Sequence, residues 1–216
     1  MGERLDVTRD VWEGLYKGGH KLSYPNDVFV RITHRALNSG SHPRVLDFGC
    51  GSGENLIHLA RRGFQMSGAD LSASALATTR GRLQTEGLHA DLQLIEGGQL
   101  PLADDAFDAV VSWQVLTYND WDSLRLMLAE LDRILRPGGI FIATLSAPGD
   151  YMHVNGRPLG EGLYELQDRG QEGATIMIVE KEQIPGLFPG KSVKTGWFGF
   201  EFDGTPSRHW VVSYEK

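Results

Sequence analysis

The chain has 216 residues, 41% of them hydrophobic and 23% charged. That fits one globular domain, or one domain with a small lid, able to bury a core without disulfides or metals. Lys+Arg 21 against Asp+Glu 28 leaves a net charge of −7, which repels polyanions at long range and argues against nucleic-acid binding. No apolar run reaches the length of a bilayer span, and the single cysteine, Cys50, excludes a disulfide framework or a cysteine-based zinc cluster.

The mixed-charge start, Met1-Gly2-Glu3-Arg4-Leu5-Asp6, predicts no secretory leader, so the expected compartment is the cytoplasm. Residues 8–17 carry Val11, Trp12, Leu15 and Tyr16 at helical spacing, and Gly18-Gly19 stop that helix. Tyr24-Pro25 reads as extended. Asn26 then caps a helix that buries Val28, Phe29, Ile32 and Leu37. From residue 44 the pattern alternates: strand 44–48, glycine turn 49–53, helix 54–62, strand 64–70, and a helix from Ser72 to about Glu86 closed by Gly87. Strands follow at 91–95 and 107–112. A helical stripe runs from Leu124 through Leu135, Pro137-Gly138-Gly139 ends it, and a fifth strand covers 140–145. Such alternation predicts an α/β fold with a doubly wound, mostly parallel sheet and a ligand site at the carboxyl ends of the strands. Residues 146–174 read as a long glycine-rich loop. A strand at 175–181, a short helix or turn at 184–188 and a closing antiparallel pair, 193–202 with 209–214, complete the chain.

The informative stretch is Val45-Leu46-Asp47-Phe48-Gly49-Cys50-Gly51-Ser52-Gly53, an acid ending a strand followed by a glycine turn into a helix. Glycines there let the backbone approach a bulky ligand that a Cβ would hit. Asp70 ends the second strand, where a carboxylate can grip both hydroxyls of a ribose. Glu96-Gly97 follows the third strand, placing an acceptor and a bare N–H near a purine edge.

Taken in this order, these motifs resemble those of class I S-adenosylmethionine-dependent methyltransferases, over residues 26–145. The stretch 96–102 resembles the family's acidic residue before Leu-Pro-Phe. Residues 107–116 with Tyr118 resemble its fourth strand and following turn, and 135–139 the motif before its fifth strand. The resemblance implies a Rossmann-like fold with helices on both faces and a C-terminal antiparallel strand. It implies one domain over 1–216, with a helical lid segment at 1–40, a cofactor-binding core at 41–145, and a substrate-side loop and closing strands at 146–216. S-adenosyl-L-methionine is the implied cofactor. Asp47 and Gly49 would face its methionine amino group, with Cys50, Gly51 and Gly53 completing the turn. Asp70 would hold the ribose and Leu71 the adenine, Glu96 and Gly97 would bracket the adenine edge, and Ser112 and Trp113 would lie under the sulfonium. Tyr24 would close over the carboxylate.

Two features depart from the family pattern. The acid at the adenine edge is Glu96, longer than the usual Asp. After the fourth strand stands Ser112-Trp113-Gln114-Val115, not the Asn/Asp-Pro-Pro-Tyr of enzymes that methylate nucleobase or glutamine amide nitrogens. The implied activity is therefore in-line SN2 methyl transfer to a hydroxyl or amine of a small molecule: a metabolite, sugar or natural-product intermediate. His153, in the loop after the fifth strand, and Tyr118 are the candidate catalytic residues. Cys50 has no base beside it in the sequence and reads as packing. The seven histidines show no paired metal spacing, so no metal is expected. Neither a membrane nor nucleic acid is an expected partner, and the expected state is a monomer or homodimer. Two other classes share the strand–glycine–helix start: a nicotinamide-dependent Rossmann oxidoreductase, whose third glycine is here Glu54, and a non-catalytic cofactor-binding module.

Overall fold

The computed structural model describes residues 2–96, 99–167 and 170–216. A seven-stranded sheet runs in the order β3-β2-β1-β4-β5-β10-β9. Strands β1 (Arg44–Phe48), β2 (Gln65–Asp70), β3 (Ala90–Leu94), β4 (Phe107–Ser112) and β5 (Leu135–Ser146) are mutually parallel. β10 (Thr205–Glu215) lies antiparallel between β5 and β9 (Lys194–Phe202). The doubly wound, mostly parallel sheet and its antiparallel C-terminal strand are those expected.

Side chains alternate across the central strands, and both faces are buried, as in a parallel sheet covered on both sides. Leu46, Phe48, Val110 and Phe141 pack with Leu124, Leu128 and Leu131 of α5 (Trp121–Ile134) and with α7 (Ile184–Leu187). Val45, Ala109, Val111 and Ile142 pack on the other face. There they meet α2 (Asp27–Ala36) and α3 (Glu54–Arg61) together with α4 (Ala73–Glu86). Three helix boundaries follow local chemistry: Asn26 accepts the Val28 N–H, Ser72 accepts the Ala75 N–H, and Gly87 closes α4 in the left-handed region. α1 spans Gly2–Lys17, beginning six residues before the periodicity suggests.

Several boundaries differ from the sequence reading. α5 ends at Ile134 and β5 begins directly at Leu135, so Pro137-Gly138-Gly139 lies inside a strand. The β4–β5 register shifts there, from Phe107↔Leu135 to Ala109↔Ile140. The backbone at this irregularity pairs instead with Lys216, whose carbonyl accepts the Gly138 N–H and whose N–H donates to Gly139. Residues 146–174 contain the short helix α6 (Tyr151–Asn155) and strands β6 (Arg157–Gly160) and β7 (Leu163–Glu165). These strands form a small antiparallel sheet with β8 (Thr175–Met177). The last hairpin is tighter than expected, with only Asp203-Gly204, both at positive φ, between β9 and β10.

At the amino ends of the central strands, buried Asp108 on β4 is clasped by Arg44 of β1 and Arg136 of β5. This ties three strands together at the end remote from their carboxyl termini. No helix among the described residues is long and apolar enough to cross a membrane.

Candidate functional site

A cavity of about 430 Å³ opens at the carboxyl ends of the parallel strands. One half is bounded by the glycine turn after β1, by Asp70 and Leu71 after β2, and by Ile95 after β3. The other half is bounded by Tyr118, Ser146, Asp150, Met152 and His209. Trp113, Gln114 and Val115, directly after β4, lie between the two.

The turn is held from several sides. Asp70 Oδ2 accepts the Gly51 N–H at 2.8 Å and Oδ1 accepts the Ser72 N–H at 2.9 Å. The Thr79 hydroxyl donates to the Gly51 carbonyl at 2.7 Å. Gly51 sits at φ +53, and a Cβ there would run into the Tyr16 hydroxyl of α1. A Cβ on Gly53, at φ +84, would meet Thr79 Cγ2 at 2.7 Å. The space that glycine keeps clear is thus taken up by the protein's own covering helix and by α4. L-residues at such φ are strained in any case.

Three carboxyls gather at this end. Burial pushes the Asp47 carboxyl well up, and the charges of Glu54 and Asp70 push the same way. Its Oδ2 is buried without a hydrogen-bond partner among the described residues. Burial also raises Glu54, which accepts the Ser52 hydroxyl at 3.0 Å, and raises Asp70 against the pull of its backbone N–H donors. Burial leads each of the three shifts, and a cation brought into the site would oppose them. A ligand with an ammonium, a sulfonium and two ribose hydroxyls supplies what these groups lack, so the residues fit S-adenosylmethionine.

The other candidates fall on and off the wall. Leu71 and Trp113 are on it. Trp113 stacks on Phe198 at 5.4 Å, and its Nε1 is buried without a partner among the described residues. Tyr24 stands at the rim, 83% exposed. Gly49 lines the cavity, whereas Gly53 does not, and Asp47 sits behind it. The Cys50 thiol is buried in the core, pushed well up by burial, and does not line the cavity. Ser112 is fully buried and donates to the Phe48 carbonyl at 3.1 Å. Glu96 is exposed and off the wall, and Gly97 lies outside the described residues. Tyr118 is on the wall, with its ring against Trp12 at 5.2 Å and its hydroxyl donating to Gln171 Oε1 at 3.4 Å. Burial, then the Asp150 charge, pushes that hydroxyl up. His153 is off the wall: its Nδ1 accepts the Gly149 N–H at 3.0 Å and its ring packs on Tyr164 at 4.8 Å.

Sequence reasoning passed over Glu54, Gln114, Asp150 and His209, all of which line the cavity. Asp150 caps α6 through the Met152 N–H at 3.0 Å and holds β10 through the Arg208 N–H at 2.7 Å. His209 Nε2 lies 2.8 Å from Gln114 Nε2 and 3.8 Å from Asp150 Oδ2. The available signals were Asp150 as a capping residue and the place of Gln114 just after the fourth strand. No local pattern links either to His209.

Residues 45–139 match the family described as Methyltransferase domain. The methyltransferase GfsG of Streptomyces halstedii is 34% identical over 142 residues, which are 63% of this chain and 50% of that protein. The chain spans about half the length of the curated relatives it matches. A S-adenosylmethionine-dependent methyltransferase from Methanosarcina mazei superposes with a TM-score of 0.74 at 21% identity, covering 86% of this chain and 96% of that one. The 1,6-didemethyltoxoflavin-N1-methyltransferase of Burkholderia thailandensis superposes at 0.73 with 17% identity, covering 98% and 88%. The family match takes in the acid–glycine turn, and the solved neighbours share the fold. Over residues 45–139 the chain is similar to the methyltransferase-domain family, and S-adenosylmethionine-dependent methyltransferases share its fold.

Proposed function

We propose that the protein transfers a methyl group from S-adenosylmethionine to a hydroxyl or amine of a small molecule. The observation that carries this reading is one continuous cavity joining the acidic half at the glycine turn to a second half of mixed polar and apolar character. Bound at the turn, S-adenosylmethionine supplies a methyl carbon already activated by its sulfonium charge. Asp70 accepts from the ribose hydroxyls while its other lone pairs keep the turn in place. Leu71 and Ile95 flank the adenine, and Glu54 faces the positive end with Asp47 buried behind it. Glu96 reaches the adenine edge only by turning inward from its exposed position.

In the second half, Met152, Ile176 and the Tyr118 ring offer apolar contact, and Ser146 and Gln171 offer polar contact. That mixture suits a compact organic acceptor. A fold neighbour, the Burkholderia enzyme, binds 1,6-didemethyltoxoflavin together with S-adenosylhomocysteine, which supports the small-molecule reading. α1 and residues 18–26 act as the lid. Trp12 and Tyr16 line the cavity from above, and Arg82 holds the lid's connecting segment through the Leu22 and Ser23 carbonyls. Excluding water in this way strengthens each polar contact inside.

Calorimetric titration with S-adenosylhomocysteine and with NADPH, alongside a screen for label transfer from methyl-labelled S-adenosylmethionine to small hydroxyl and amine compounds, tests the reading. Binding of S-adenosylhomocysteine alone with label transfer is the expected result. Binding without transfer to any compound would leave a cofactor-binding module.

A further inference from the structure

Resting on the methyl-transfer reading, we propose that His209 takes the proton from the acceptor's reacting hydroxyl or ammonium, and that the Asp150 charge stabilises the imidazolium that forms. The argument begins with β10. Residues two apart on a strand share a face, so Ser207 and His209 both look into the acceptor half of the cavity, and both line it. The register sets His209 opposite Ser146 of β5 and Phe198 of β9, and the Phe198 ring packs on the imidazole at 5.3 Å. His209 is 7% exposed.

The two ring nitrogens differ. Nδ1 is buried with no partner among the described residues. Nε2 lies 2.8 Å from the Gln114 amide nitrogen and 3.2 Å from Ser207 Oγ. An amide N–H can only donate, so Nε2 carries the lone pair and is the nitrogen ready for a proton. Gln114 is pressed against it by a backbone at φ +59, fixed by its N–H donating to Thr144 Oγ1 at 2.6 Å. Side chains held at such φ concentrate at working sites. The Gln114 N–H occupies the place an acceptor's O–H would take.

Asp150 is the charged group beside the ring. Both its oxygens are engaged by backbone N–H groups, of Met152 and Arg208, so the carboxylate cannot swing away. Its Oδ2 lies 3.8 Å from Nε2, within reach of an imidazolium and too far for a hydrogen bond. Burial lowers the affinity of His209 for a proton, and Asp150 works the other way. The ring thus starts neutral, and its charged form has a partner. In the proposed step the acceptor O–H or N–H bond breaks and its electron pair stays on oxygen or nitrogen as the nucleophilic pair. The proton bonds to Nε2 and passes to solvent after the product leaves. Tyr118 does not compete, because its buried hydroxyl is pushed up. His153 does not either, since its ring lies off the cavity wall.

The test uses the full chain saturated with S-adenosylhomocysteine, as wild type, His209→Gln and Asp150→Asn, with 4-nitrophenol as the probe. Side-chain nitrogen NMR assigns His209 as the signal absent from His209→Gln. That signal should titrate below the ordinary imidazole range, and Asp150→Asn should lower its proton affinity further, by about tenfold. The bound probe should ionise at lower pH than the free probe, as read from its absorbance, and His209→Gln should abolish that difference. A His209 signal indifferent to Asp150→Asn, a probe that binds without changed ionisation, or a probe that fails to bind overturns the proposal. Calorimetry with S-adenosylhomocysteine alone separates the underlying reading: if the wild type does not bind it, the methyltransferase reading fails first and takes the proposal with it.

Discussion

Glu13 on α1 accepts the hydroxyl proton of Ser72 at 2.6 Å, and Ser72 is the residue that caps α4. The same carboxylate accepts the Ser74 N–H at 3.1 Å and the Ser74 hydroxyl at 2.7 Å. The covering helix is therefore fastened to the amino end of a core helix, where the helix dipole favours negative charge. The Ser72 and Ser74 hydroxyls, against some opposing burial, draw the Glu13 carboxyl from 4.5 down to about 2.

The sign of the pH dependence follows. A depressed carboxyl contributes fully above its ordinary value and loses that contribution as pH falls through the depressed one. Amide exchange in α1, taken relative to the unstructured-chain rate at each pH, should therefore be slow at neutral pH and quicken as pH drops from 4.5 toward about 2. Glu13→Gln should quicken it at neutral pH and flatten the acid response. Exchange in α1 that ignores both changes would show that the clip does not hold the helix.

The lid should also respond to ligand. Amides in 16–25 and 148–160 are expected to gain protection when S-adenosylhomocysteine is added, while those in 122–135 change little. Uniform protection along the chain would discard the lid.

Asp70→Ala removes an acceptor from the ligand and from two backbone donors of the turn at once. Affinity for S-adenosylhomocysteine should fall by roughly ten- to a hundredfold, the equivalent of about 1.5–3 kcal/mol for charge-assisted hydrogen bonds. Thermal stability should fall as well, because the Gly51 and Ser72 N–H groups lose their acceptor. Unchanged affinity in calorimetry removes Asp70 from the site.

Gly51→Ala and Tyr16→Phe should be coupled. The alanine costs about 1–2 kcal/mol for its left-handed backbone and more for displacing the Tyr16 hydroxyl. With that hydroxyl gone, the nearest ring atom is 3.5 Å from the new Cβ, an ordinary contact. A double-mutant cycle by chemical denaturation should give a coupling of at least about 0.5 kcal/mol. Strict additivity would mean that α1 does not lie over the turn in solution.

Asp108→Asn tests the far end of the sheet. Burial opposes ionisation there, yet the Arg44 and Arg136 hydrogen bonds and charge bring the carboxyl to about 2. The variant should lose about 2 kcal/mol of stability with S-adenosylhomocysteine affinity unchanged. Loss of affinity would show that the clasp reaches the cavity.

Local signals were legible where neighbours in sequence decide the outcome. β1 and β4 fall on the residues expected, as do the caps Asn26, Ser72 and Gly87. The start of β5 was hidden because Pro137-Gly138-Gly139 reads as a stop, and only pairing with distant Lys216 keeps that backbone in the sheet. β6 was hidden because all four of its residues are exposed and carry no alternation. The same cause hid His209. Its ring partners Gln114 and Asp150 stand 95 and 59 positions away, and nothing about a histidine in a strand announces them.

The two halves of the cavity come from separate stretches of chain. The glycine turn, Asp70 and Ile95 belong to the first stretch, and Asp150, Met152, Ile176 and His209 to α6, β8 and β10. On the proposed reading, substitutions in the later stretch would reshape what is methylated while the turn proposed to hold the methyl donor stays as it is. The fold therefore lends itself to divergence by exchange of that wall, with the segment from Trp113 to Tyr118 as the seam along which a chimaera must match.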